Sequence, residues 1–130
     1  MSGNRALIGE RGSAIAEFTM VSGLLLAITL AIFQLAFALH VQNTVADAAS
    51  EGARFAGLIG GDLEAGKART ELLVATAVGP SIIRSSEARF VDDEDLAMVE
   101  MTIVATVPQL GLLGFSTFEV SAHAAIESLE

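Results

Sequence analysis

Between Phe18 and Ala46 there is no Asp, Glu, Lys or Arg. The first 22 residues of that stretch, Phe18 to Leu39, read FTMVSGLLLAITLAIFQLAFAL, interrupted only by Thr19, Ser22, Thr29 and Gln34 among polar types. As a helix this segment is about 33 Å long, which matches a hydrocarbon core of about 30 Å. A membrane span over about 18–40 is therefore expected, and it is too long for a buried core helix in a 130-residue chain.

Charge is distributed unevenly around the span. Arg5 and Arg11 precede it, and residues 47–130 hold 5 basic and 14 acidic groups. The positive-inside rule places a leader, 1–12, in the cytoplasm and the acidic body outside. The body's sign opposes nucleic-acid binding through phosphate neutralisation. No Cys is present, so disulfides, thiolate metal sites and a cysteine nucleophile are excluded. A secreted protein, cut from a signal peptide, is an alternative. Ala46-Asp47-Ala48 satisfies A-x-A, but the apolar run exceeds the usual 7–15 residues.

The helix is expected to continue to Gly57, from about residue 14. Val41, Val45, Ala48, Gly52 and Phe55 share one face, and Ala46, Ala49, Ala53 and Ala56 form a second stripe of small residues. Such a stripe permits close backbone approach between helices, either to this chain's own body or to another chain.

The junction before the span carries the sharpest chemistry. Glu17 is the only charged side chain in residues 13–46, and no Lys or Arg follows it until Arg54. An ionised carboxylate on an apolar face is costly unless paired. A cut between Gly12 and Ser13 would supply a cation, because the new Ser13 amine lies one helical turn from Glu17. The amine of a neighbouring helix could serve equally. Alternatively, Glu17 simply sits at the headgroup level, helped by the helix dipole.

Here the chain resembles a family. A short basic leader ending in Gly, four small or apolar residues, Glu-Phe and a long apolar helix resemble a type IV prepilin. More narrowly, ERGSAIAEFTMV resembles the start of the TadE-like minor pilins (pseudopilins) of the tight-adherence, or Flp, pilus system. DAASEGARFAG resembles the family's Ala-rich segment, and VEMTIVATVP with FEVSAHAAIE its closing strands. The resemblance implies cleavage between Gly12 and Ser13 by a prepilin peptidase. It makes Glu17 the fifth residue of the mature chain, needed for processing or docking. It implies as partners major and other minor pilins, a polytopic platform protein and an assembly ATPase.

The remainder, 62–130, reads as an α+β head. Asp62 can cap a helix from Leu63 to Val78, with Ala65, Ala68, Leu72, Ala75 and Val78 on its inner face, and Gly79-Pro80 stops it. Three strands follow: a short one over 87–91, one over 97–107 and one over 117–126. Their antiparallel meander would pack on the helix and on the outer half of the long helix. Asp92-Asp93-Glu94-Asp95 between two strands reads as a solvated hairpin turn rather than a Ca²⁺ site, since it lacks an EF-hand's spacing and glycine. In the apolar connection 108–115, Leu110, Leu112 and Leu113 suit contact with a partner or lipid as well as folding back on the sheet.

Enzymatic function is not expected. His40 and His123 fall on different elements, and no H-E-x-x-H, P-loop or nucleophile elbow is present. No cofactor or metal is expected. The functional expectation is a minor pilin taking part in pilus assembly, priming or adhesion. The alternative is an uncleaved, single-span adaptor whose head binds a partner outside the membrane.

Overall fold

The computed structural model describes residues 3–58, 61–108 and 115–127. The elements are α1 (Gly3–Gly57), α2 (Leu63–Ala77), β1 (Ile83–Asp93), β2 (Leu96–Pro108) and β3 (Phe115–Ala125). The fold is α+β, with one antiparallel sheet in the order β1-β2-β3. The chain divides into two compact units, residues 1–36 and 37–130.

The first unit is the N-terminal part of α1. The helix begins at Gly3, so it runs back through the leader rather than starting near residue 14. No Pro interrupts this stretch. Thr19 and Thr29 donate their hydroxyls to the carbonyls of Ile15 and Leu25, each at 2.8 Å. These bonds satisfy polar groups that an apolar surrounding would otherwise penalise. The large side chains are bare, with Phe18 73% exposed.

The second unit, the head, holds a core of small aliphatic residues. From α1 come Val41, Val45, Ala48, Ala49, Ala53 and Ala56, all buried. Both small-residue stripes of α1 are thus spent within this chain, while Phe55 falls outside the buried face at 43% exposure. From β2 come Val99, Met101, Ile103, Ala105 and Val107, the alternate residues of one sheet face. On β3, Phe118, Val120, Ala122 and Ala124 point to the same side.

The helix α2 is capped as its sequence suggests. The Asp62 carboxylate accepts from the Glu64 backbone N–H at 2.9 Å. At its other end Gly79 takes φ +106°, and its N–H reaches the Val74 carbonyl. The inner face, however, is not the expected one. Gly66, Thr70 and Val74 are buried, whereas Ala68 and Leu72 are exposed. The reason is backbone proximity. A Cβ on Gly52 of α1 would fall 1.7 Å from Thr70 Oγ1 and 2.8 Å from the Gly66 carbonyl oxygen. Two helices this close can meet only through their smallest residues, so size rather than hydropathy chose the face. Thr70 Oγ1 is satisfied there, donating to the carbonyls of Gly66 (3.1 Å) and Ala48 (3.3 Å).

The strand β1 is longer than expected. Its first half, Arg84-Ser85-Ser86-Glu87, reads as polar because it lies on the sheet edge and a bulge between Ile83 and Ser85 breaks the alternation. The hairpin from β1 to β2 has two central residues, Glu94 and Asp95, with φ +45° and +74°. That is the geometry of a tight primed turn between paired Asp93 and Leu96. Leu110, Leu112 and Leu113 lie outside the described residues.

Candidate functional site

The first candidate lies on α1 at the junction. Ser13 and Glu17 occupy successive turns, and the Ser13 hydroxyl donates to Glu17 Oε1 at 3.3 Å. The helix therefore brings the two together, and both are exposed. Gly12 precedes them, and a Cβ built on it would meet nothing within 4 Å. Nothing among the described residues requires a glycine there. As the residue with the lowest helix propensity after proline, Gly12 makes local unwinding at this point easier by about 1 kcal/mol than alanine would.

Beyond the junction, α1 is long and apolar enough to cross a membrane, and only 6% of its most apolar window is buried within the structure. A soluble core helix would be mostly covered. These side chains need lipid or other helices around them, which suggests a single-pass membrane anchor.

Sequence reasoning missed a second arrangement, on the open face of the sheet. Arg89, Glu100 and His123 stand side by side on β1, β2 and β3. Arg89 Nε donates to Glu100 Oε1 at 2.6 Å, and His123 Nε2 lies 2.7 Å from Oε2. Both oxygens of one carboxylate thus tie the central strand to its two neighbours. The hydrogen bond with His123, followed by the bond and charge of Arg89, holds the Glu100 carboxyl below its ordinary range against the opposing pull of desolvation.

A pH dependence with a definite sign follows. A carboxylate lowered in the folded state stabilises it above the unfolded-state pKa, about 4.3 for Glu, and that contribution is lost as pH falls through the lower folded value. Wild-type protein should melt higher than Glu100→Gln at pH 7. The gap should narrow as the pH is lowered below the unfolded-state value and close once Glu100 is protonated in the folded chain as well. A gap that persists at low pH would mean that Glu100 acts through shape alone.

His40 is on α1 and His123 on β3, and among the described residues no group of three His, Asp or Glu residues is placed to hold a metal ion. Thr102 and Ser121 continue the polar ladder across the same sheet face at 3.1 Å.

Comparison with known proteins bears on the junction and the long helix. No curated protein and no solved structure gives a significant match to the chain. The family model described as TadE-like protein matches residues 12–54. That segment opens at Gly12, contains Ser13, Glu17 and the whole apolar run, and ends in the small-residue part of α1. Over that segment the chain is similar to the TadE-like family, which is consistent with a protein of the tight-adherence pilus system.

Proposed function

We propose that this chain is a non-enzymatic minor pilin (pseudopilin) of a tight-adherence pilus. In this reading a prepilin peptidase cuts between Gly12 and Ser13. The leader stays in the cytoplasm and the head lies outside, joined to the membrane by α1 until the subunit enters a filament. Its partners are then major and minor pilins, the platform protein and the assembly ATPase, and its role is assembly, priming or adhesion. Leu110, Leu112 and Leu113 are proposed as a contact with those partners.

The observation that carries this reading is the junction itself. A glycine with open space around it stands beside Ser13, and Ser13 sits within hydrogen-bond reach of the lone acid of the apolar segment. Hydrolysis of the Gly12–Ser13 peptide bond leaves a carboxylate on Gly12 and turns the Ser13 backbone nitrogen into an ammonium one turn from Glu17, adding a cation beside the hydroxyl that already donates to that carboxylate. The charged leader is removed in the same step.

Gly12→Val tests this directly. The open space at Gly12 means that the fold should tolerate the substitution. A β-branched residue at the scissile bond should nevertheless exclude the chain from the peptidase. The precursor should accumulate in the membrane at full mass, while the wild type loses residues 1–12. Normal processing of Gly12→Val would overturn the assignment, and a wild-type protein that keeps Met1 or Ser2 would leave an uncleaved adaptor instead.

A further inference from the structure

The sheet has two edges, and β1 is the barer of them. It is 11 residues long, has no Pro, and is flanked by β2 on one side only. Among the described residues, no backbone hydrogen bond reaches β1 from the side away from β2. The C-terminal end of β3 is covered: the Glu127 N–H donates to the Gly57 carbonyl at 2.8 Å, and the Ala125 carbonyl lies against Gly57. An exposed edge of this length is a template for another strand.

The charges along β1 select what that strand is. Reading from Ile83, the strand is IRSSEARFVDD, with Arg84 and Arg89 as its cations and Glu87, Asp92 and Asp93 as its acids. If a second β1 is laid antiparallel with Ala88 on the two-fold axis, Glu87 falls opposite Arg89 of the partner subunit. Arg84 falls level with Asp92 of the partner subunit, and the symmetry repeats both pairs. This register sets both arginines opposite acids. A register that sets Arg84 opposite Arg89 of the partner subunit is repelled. Glu87 is exposed, with no ion pair or side-chain hydrogen bond in the described structure.

An apolar fit coincides with the same register. Phe90 is 59% exposed, although it pairs with buried Val99 and so points to the core side of the sheet. In the two-fold arrangement it falls opposite Ser86 of the partner subunit. Ser86 lines the rim of an open cleft between α2 and β1, whose wall includes Leu72, Ala75, Pro80 and Ile83. Leu72, which the core leaves 58% exposed, is part of that wall. Each copy thus carries one aromatic knob and one cleft, apolar at Leu72, Ala75, Pro80 and Ile83 and polar where the Ser86 hydroxyl donates to Glu71.

We propose that the β1 edge is a homodimerisation surface, on which two copies of this chain join their β1 strands antiparallel about Ala88. The three-stranded sheets then form one continuous sheet. Such an interface is isologous, so each element is used twice and the assembly closes at two.

The absence of native cysteine makes the test specific. Full-length chains carrying Glu87→Cys are mixed in detergent with chains carrying Arg89→Cys, exchanged and oxidised. Residues directly opposite in an antiparallel pair have Cα atoms about 4.5–5.5 Å apart, within the disulfide range. The mixture should give a covalent dimer in several-fold higher yield than a Glu119→Cys and His123→Cys mixture, which reports on the β3 edge. Glu87→Arg, added to the Arg89→Cys partner, should lower the yield several-fold while its circular-dichroism melt stays at that of the Arg89→Cys chain. Equal or greater yield from the β3 pair would overturn the proposal. So would failure of the purified chain to cross-link at 87 and 89, which would leave the β1 edge to a strand of a different protein.

Discussion

Gly52→Ala should lower the melting temperature of the head by about 8–16 °C, even though alanine is the better helix former. The two effects have opposite signs, and magnitude decides between them. Helix propensity favours Ala over Gly by about 1 kcal/mol. Against this, the new methyl would lie 1.7 Å from Thr70 Oγ1 and 2.8 Å from the Gly66 carbonyl oxygen. Thr70 cannot simply turn aside. It is fully buried, its hydroxyl is already engaged with two carbonyls, and β-branching restricts its rotamers. The Gly66 carbonyl is backbone and moves only with α2. The helices must therefore separate, loosening the packing of Ala48, Ala53 and Ala56 beside them. Overpacking typically costs about 1–3 kcal/mol, and a clash with backbone belongs at the upper end. For a domain of this size each kcal/mol shifts the midpoint by about 4–8 °C.

Gly66→Ala should act in the same direction, since its Cβ would lie 2.6 Å from that of Ala56. Adding Ala56→Gly to it should recover part of the loss. Gly23→Ala, with nothing within 4 Å, serves as the control and should not lower the midpoint. Circular-dichroism melts of the full chain in detergent read all four variants. A Gly52→Ala melt within a few degrees of wild type would show that the α1–α2 spacing is looser than the structure has it.

The same contact explains what the sequence could and could not disclose. The core faces of β2 and β3 were legible because a period of two is a pattern of hydropathy, and Val99, Met101, Ile103 and Ala122 obey it. Asp62 was legible as a cap because its chemistry is local. The inner face of α2 was not, because Gly66 and Thr70 carry no hydropathic signal and their burial depends on Gly52 of α1, fourteen and eighteen residues before them. The extent of β1 was obscured by its polar edge residues and its bulge. The Arg89–Glu100–His123 row is a matter of register. The two-residue turn at Glu94-Asp95 fixes Arg89 opposite Glu100, and that half could have been deduced from the acidic turn. Placing His123 required the pairing of Pro108 with Phe115 across a longer apolar connection that contains no two-residue hairpin motif to fix the register. At the junction, Ser13 and Glu17 were legible because helical spacing alone puts them one turn apart.

Glu17→Gln should abolish or severely slow incorporation into pili while leaving membrane insertion intact. In the uncut chain Glu17 accepts a hydrogen bond from the Ser13 hydroxyl at 3.3 Å. After the proposed cut the same neighbour carries an ammonium, so the lone acid of residues 13–46 acquires a counter-charge where the sequence supplies no other before Arg54. Moving from lipid into a bundle of pilin helices strips away whatever water reaches the headgroup level. The pair, within one chain or between neighbours, must then stand without solvent. Deleting one member of a buried pair costs about 3–5 kcal/mol, because the other charge is left alone. Each 1.4 kcal/mol is a factor of ten in an equilibrium, so docking should weaken by more than a hundredfold. Insertion moves the other way, since removing a charge only favours the bilayer. No alanine of the α1 stripe can match this effect, because Ala48, Ala49, Ala53 and Ala56 are already buried in the chain's own head. The mature N-terminus is determined in the same sample, which separates failed docking from failed cleavage. A Glu17→Gln chain that is cut, inserts and enters pili at the wild-type level would show that the carboxylate is only an interfacial residue. A chain that is cut and inserts but stays in the membrane would identify Glu17 as the group whose neutralisation permits exit from the bilayer.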